Sequence, residues 1–304
     1  MPPARNVSAD ARSGSAASWL ARGSNGRPPD LAVLGVPAHA SSRSGSGTHR
    51  TPAAIRAALH ALSTWSGSRK IDLTTMTALD LGNVDDPDLD EGAWRVRIAS
   101  ESGATLARLV ALIGGDSSFI GSAAAGVLGD VAAGGLVILD LRHDVLREAG
   151  NASAVRDLLD AGMPGECIVQ VGIADWADSR SYADEAYARG IHPMHRAEVA
   201  ERGIAECMTE ALAIAGAGSR PVFVVLDLNV CDRSVAPACS GALPGGLSAR
   251  EILDAAHVAA ASPSVRAVAI TEVDAAADPT GSTVRLAAMC LLEAAAGLAA
   301  RTAD

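Results

Sequence analysis

The stretch VFVVLDLNVCD, residues 222–232, decides the fold class. Its first five residues are apolar and mostly β-branched, and Asp227 closes the run. A short continuous apolar run reads as a strand buried on both faces, which belongs in a parallel sheet covered by helices on each side. Ligands bind such sheets beyond the carboxyl ends of the strands. The residues that follow the run, Asp227, Asn229 and Asp232, therefore carry more weight than they would elsewhere.

The same pattern extends in both directions along the chain. LVILD (136–140) runs into Asp140-Leu141-Arg142-His143-Asp144, and AVAITEVD (267–274) presents Glu272 and Asp274. A run ending at Ile113 leads into GGDSS (114–118). Strands are expected over 31–35, 136–140, 167–173, 222–228 and 265–272, with weaker ones over 77–81, 109–113 and 190–193. Ala-rich amphipathic segments alternate with them, which is the signature of βαβ units. Thr51 before Pro52 suits a helix N-cap, Asn151 can cap the helix that runs through Val155, Leu158 and Leu159, and Ser248 with Glu251 forms a capping box. A last helix is expected over 283–300.

The composition agrees with one large α/β domain. The chain has 304 residues, 49% of them apolar, enough for a full core. Its formal net charge of -10 opposes a phosphate-binding surface. No apolar run reaches the roughly 20 residues that span a bilayer. The stretch 1–30 is rich in Ala, Ser, Arg, Gly and Pro and reads as a disordered leader without the apolar core of a signal peptide. The expectation is a cytoplasmic protein with a single domain over 31–304, acting on a small molecule rather than on nucleic acid or membrane. Cys167, Cys207, Cys231, Cys239 and Cys290 are scattered and odd in number, which suits buried thiols.

A single strand-end Asp is commonly a turn or helix cap. Several carboxylates at one sheet edge repel each other unless a cation or a bound proton offsets them, so their coincidence marks a metal or substrate site.

The order GGDSS, DLRHD, DLNVCD and EVDAAAD resembles the ureohydrolase (arginase/agmatinase/formiminoglutamase) signature GGDHS, DAHxD, SxDxDxxDP and a late Glu. LGVPAHASSRSGSGTHRTPAAIRAAL (34–59) is similar to that family's opening strand, glycine-rich loop and GPxAIR helix, and APACSGALPGGLSARE (236–251) resembles its AP…PGG loop. The resemblance covers about residues 31 to 302 in order. It implies a three-layer α/β/α sandwich with an eight-stranded, mostly parallel sheet, and a trimeric or hexameric assembly to which the apolar C-terminal helix offers a surface. It also implies two Mn²⁺ ions bridged by a hydroxide that attacks a guanidinium carbon.

On that alignment Asp140, Asp144 and Asp227 match metal ligands, whereas Ser117, Arg142 and Asn229 stand where the family has His, His and Asp. A guanidinium has no lone pair to coordinate with. Arg142 is therefore expected to occupy the space of one ion and neutralise Asp140 and Asp227. The altered set argues against a dinuclear centre and leaves one weak Mn²⁺ site on Asp140, Asp144 and Asp227 open. Glu272 matches the carboxylate that holds the substrate's guanidino group, or else pairs with Arg142. Asn151 falls at the place of a family catalytic His or is only a cap. His143 is a ligand or a packing residue, and His39 and His49 in the glycine-rich loop are substrate contacts or surface residues. Asp274 is a further candidate for substrate binding.

Three functions fit. The first is a repurposed enzyme acting on an amidine, guanidino or similar polar substrate with one metal or none. The second is a conventional Mn²⁺ hydrolase of linear amidines, and the third is a catalytically silent binding or assembly protein.

Overall fold

The computed structural model describes residues 14–24, 26–42, 47–145 and 153–301. In chain order its elements are α1 (Ala16–Ala21), β1 (Leu31–Val36), α2 (Thr51–Ala58), a small hairpin of β2 (Trp65–Ser66) and β3 (Ile71–Asp72), β4 (Ala78–Asn83), α3 (Gly92–Leu106) and β5 (Leu109–Gly114). Next come α4 (Ile120–Leu128), β6 (Gly135–Leu139), α5 (Ala154–Asp160), β7 (Ile168–Ile173), α6 (Arg180–Ala188), β8 (His192–His195), α7 (Arg196–Arg202) and α8 (Ile204–Ala215). The chain closes with β9 (Val222–Asp227), α9 (Ala249–Ala261), β10 (Val265–Thr271) and α10 (Ser282–Ala300).

Eight strands form one sheet in the order β4-β1-β5-β10-β9-β6-β7-β8. Every pairing in it is parallel, so the sheet is wholly rather than mostly parallel. Side chains alternate between the two faces as the period of a strand requires. In β9, Val222, Val224 and Leu226 enter one core with residues of α1, α2, α7, α8, α9 and α10, while Phe223 and Val225 enter the other with α3, α4, α5 and α6. Helices thus cover both faces, giving three layers. Phe223 is fully buried, and its truncation to Ala would cost about 3–5 kcal/mol.

Two local expectations are corrected. Within the stretch read as a leader, Ser15 caps α1 and Ala16, Trp19 and Leu20 are buried in the core, with the Trp19 indole N–H donating to the Met76 carbonyl at 3.1 Å. Small and polar residues dominate the segment, but Trp19 and Leu20 are both spent in the fold. Thr51 lies inside α2 rather than at its cap, and its hydroxyl donates to the Val273 carbonyl instead. The weaker strand expected over 190–193 is present as β8, shifted to His192–His195. The capping box of Ser248 and Glu251 is present. Asn151 falls outside the described residues.

Helix α10 has the length and apolarity of a membrane span, yet 67% of that window is buried inside the fold. Most of its apolar face is therefore committed to the core.

Candidate functional site

Four adjacent central strands, β5, β10, β9 and β6, carry the acids at their carboxyl ends. Leu139 pairs with Leu226, and Thr271 pairs with Asp227, so Asp140, Asp227 and Glu272 leave the sheet at nearly one level. All three are buried, as is Asp144.

The cluster is held by backbone donors. The Asp140 carboxylate accepts the N–H groups of Leu141 and Arg142 at 2.6 and 3.3 Å. Asp227 accepts the Asn229 N–H at 2.8 Å. Glu272 accepts the Ser117 N–H at 2.8 Å, and its own N–H donates to the Gly115 carbonyl at 2.8 Å. Gly115 is required there, because a Cβ would lie 1.9 Å from the Ala38 carbonyl oxygen. That close approach seats the loop after β1 against the end of β5.

Burial pushes the Asp140 carboxyl up to about 7, and the charge of Glu272 adds to the rise against the pull of the two amides. Asp144 is raised well above the ordinary range by burial and then by Asp140, Glu272 and Asp178. Asp227 is raised likewise by burial, Asp140 and Glu272. Mutual repulsion in a dry site is the physical link among them. Asp144 and Glu272 also hold left-handed backbone, at φ 51° and 68°, a conformation uncommon outside glycine and concentrated at functional sites.

Arg142 does not enter this cluster as expected. Its guanidinium donates to the Ala177 carbonyl and stands 3.6 Å from Asp178, with 45% of the side chain exposed. The loop after β7 offers it a carboxylate and a carbonyl outside the dry pocket, where the guanidinium keeps its hydration. Glu272 bonds to Ser117 rather than to Arg142. Asn229 is also turned away, its side-chain oxygen accepting the Gly241 N–H at 2.9 Å.

His143 is a packed residue. Its Nδ1 pairs with the Gln170 amide oxygen at 2.7 Å, and Gln170 donates back to the His143 carbonyl at 2.6 Å. Asp274 caps the turn that follows it by accepting the N–H groups of Ala276 and Ala277, and Asp232 does the same for Ser234 and Gly245. Both side chains thus serve the turns they begin. His49 lies beside His39 with ring centroids 4.9 Å apart, and His39 pairs with Asp88 at 2.6 Å. The His49 Nδ1 is buried without a hydrogen-bond partner.

Sequence reading missed Asp178 and Gln170. Asp178 accepts the His143 N–H at 2.7 Å besides facing Arg142, and so fixes the loop after β6. All five cysteines are buried and free, and burial pushes the Cys231 thiol up to about 12, which removes it as a nucleophile.

Manganese prefers carboxylate and imidazole donors. Here no imidazole is presented to the cluster among the described residues, Ser117 offers a neutral hydroxyl, and the Arg142 and Asn229 side chains are committed elsewhere. Among the described residues no three His, Cys, Asp or Glu side chains are grouped to hold a metal. This donor set does not fit the two-ion centre that the resemblance implies.

A parallel eight-stranded sheet between helical layers, with carboxylates at the ends of its central strands, defines an arginase-type α/β protein. The arginase family model matches residues 29–297, and the chain belongs to that family. It is similar to the formimidoylglutamase of Bacillus subtilis (strain 168), with 31% identity over 280 residues, 88% of this chain and 86% of the relative. The crystal structure of formimidoylglutamase from that species superposes with a TM-score of 0.84 at 27% identity, covering 91% of this chain and 90% of the other. Trypanosoma cruzi formiminoglutamase, solved with Mn²⁺, shares the fold at a TM-score of 0.82 and 22% identity, covering 90% of this chain and 94% of the other.

Proposed function

We propose that the chain is a divergent ureohydrolase acting on a compact cationic substrate of the amidine, formimidoyl or guanidino class, at a site with one metal or none. The observation that carries this reading is the burial of Asp140, Asp144, Asp227 and Glu272 in one mutually repelling cluster. An amidinium is planar, positive and rich in N–H donors, so it offsets that charge while giving each carboxylate a hydrogen bond. The formimidoylglutamase relative acts, by its name, on a substrate with such a group.

Hydrolysis asks a water molecule to lose a proton as its oxygen attacks the amidine carbon. Asp140, with its carboxyl near 7, takes that proton at neutral pH and returns it to the leaving nitrogen, while Glu272 and Asp227 hold the amidinium N–H groups. Asp144 adds to the negative field in which the cation sits.

The test is calorimetry and product release with agmatine, arginine, guanidinobutyrate and formimidoylglutamate, each in EDTA and in Mn²⁺. Saturable binding and turnover of one of them in EDTA supports the reading. Turnover that requires two Mn²⁺ per chain makes the protein a conventional hydrolase, and binding without turnover makes it a binding protein.

A further inference from the structure

A second cavity opens at the carboxyl ends of β7 and β8, beside the strands that carry the acid cluster. It has a volume of about 370 Å³ and is lined by Ala174, Trp176, Arg196, Ala197, Leu243 and Pro244 among others. That is room for a small ligand, between walls that are mostly apolar. Two features of this cavity have no part in holding the fold. The first is Trp176, which is 99% exposed, more than any other large apolar side chain among the described residues, and whose backbone is left-handed at φ 66°. A bulky residue held in that conformation stores strain with no packing in return, and such strain concentrates at ligand clamps.

Arg196 supplies the second feature. Its Nε donates to the Gly245 carbonyl at 3.1 Å and its Nη2 pairs with Glu251 at 3.1 Å, but Nη1 is buried with no hydrogen-bond partner among the described residues. A buried donor left unpaired is costly, so the cavity calls for a ligand that brings an acceptor. The acceptor need not be charged. Glu251 already balances the guanidinium, and the exposed Asp175 adds an acid to the lining, so a carboxylate or phosphate would meet net repulsion here.

We propose that this cavity is an effector site for a neutral, flat heteroaromatic ligand bearing a carbonyl or ring-nitrogen acceptor. The ring rests between Trp176 and the Leu243–Pro244 step, and its acceptor takes the Arg196 Nη1 donor. One loop joins this site to the segment that carries the acids. The Ala174 N–H donates to the Leu141 carbonyl at 3.0 Å, the Ala177 carbonyl accepts the Arg142 guanidinium, and Asp178 accepts the His143 N–H at 2.7 Å. A ligand lying on Ala174 and Trp176 therefore steadies the loop that steadies residues 141–143.

Nicotinamide is the probe, and nicotinate, the same ring with a carboxylate, is its charged counterpart. In nitrogen–proton correlation spectra of the full chain in EDTA, the Trp176 indole signal is assigned by its loss in Trp176→Phe. It is expected to shift saturably with nicotinamide while the signals of the other tryptophans stay in place, and nicotinate is expected to bind roughly tenfold more weakly. Arg196→Lys, which keeps a cation for Glu251 but not the guanidinium fork, is expected to weaken nicotinamide roughly tenfold as well. With nicotinamide about tenfold above its dissociation constant, hydrogen exchange of the His143 amide should slow about tenfold. The absence of a saturable Trp176 shift overturns the site, and nicotinate binding as tightly as nicotinamide overturns the ligand class. Unchanged affinity in Arg196→Lys removes the acceptor contact that defines the ligand. Binding that leaves His143 exchange unchanged overturns the effector role.

Discussion

The Arg142 guanidinium stands 3.6 Å from the Asp178 carboxylate and donates to the Ala177 carbonyl, so the cation nearest in sequence to the acid cluster is paired outside it. With 45% of the side chain exposed, this pair is screened by solvent. Arg142→Ala is accordingly expected to lower stability by at most about 1 kcal/mol. Asp178→Ala should cost more, about 1–3 kcal/mol, because it also strips the acceptor from the N–H of buried His143. Chemical denaturation of both variants checks the order. A larger loss for Arg142→Ala would place the guanidinium inside the cluster after all.

Glu272→Gln separates charge from geometry. The amide oxygen can still accept the Ser117 N–H, so the local fold is retained, while one repelling charge leaves the pocket. The variant is expected to bind an amidinium roughly tenfold more weakly, ~1.4 kcal/mol. Equal affinity by calorimetry would remove Glu272 from substrate binding.

Asn229 ties the end of β9 to the 236–245 loop through Gly241. Asn229→Ala leaves that N–H without its acceptor and is expected to cost about 1–3 kcal/mol. Asn229→Asp keeps the acceptor but adds a negative charge beside the raised Asp227, so it should destabilise the protein in EDTA and regain stability with Mn²⁺. Thermal melts in the two buffers distinguish the variants.

The pH dependence follows from the direction of the shifts. Carboxyls raised by burial hold protons in the folded state at pH values where the unfolded chain has released them, so stability falls as pH rises. For Asp140 the fall begins near the ordinary carboxylate range, about 4, and ends above its folded value of about 7. Asp144 and Asp227, raised in the same direction, extend it. Protein in EDTA should therefore melt higher at pH 5.5 than at pH 8, as rough settings inside and above that window, and a bound amidinium should flatten the slope. A melting temperature that rises with pH across the same interval would contradict the raised carboxyls.

Much of this was legible in the sequence, for a physical reason. Strands buried on both faces, such as β1, β5, β6 and β9, leave continuous apolar runs, while the edge strands β4 and β8 are partly exposed and leave weaker ones; all eight lie within a few residues of their expected ends. The four acids that cluster were visible as strand-end residues, since the sheet fixes where each strand stops. The direction of Arg142 was not legible, because it depends on Ala177 and Asp178 in a loop that only the neighbouring strand brings close. Gln170 stands as the polar residue in the β7 run IVQVGI, but its pairing with His143 depends on the sheet placing β7 beside β6. Asp232 and Asp274 show a role the strand-end position alone does not reveal. They occupy strand-end positions, and their side chains cap the turns that follow. Trp19 and Leu20 were masked by the small and polar residues around them.

Manganese content bears most directly on the acid pocket. Purified protein is stripped with EDTA, reconstituted with excess Mn²⁺, passed through gel filtration and measured by elemental analysis, in parallel with Arg142→His combined with Asn229→Asp. Less than one retained ion per chain is expected in the unmodified protein, with a higher stoichiometry in the double variant. Two tightly held ions per chain in the unmodified protein would contradict the pocket described here and restore the two-metal hydrolase.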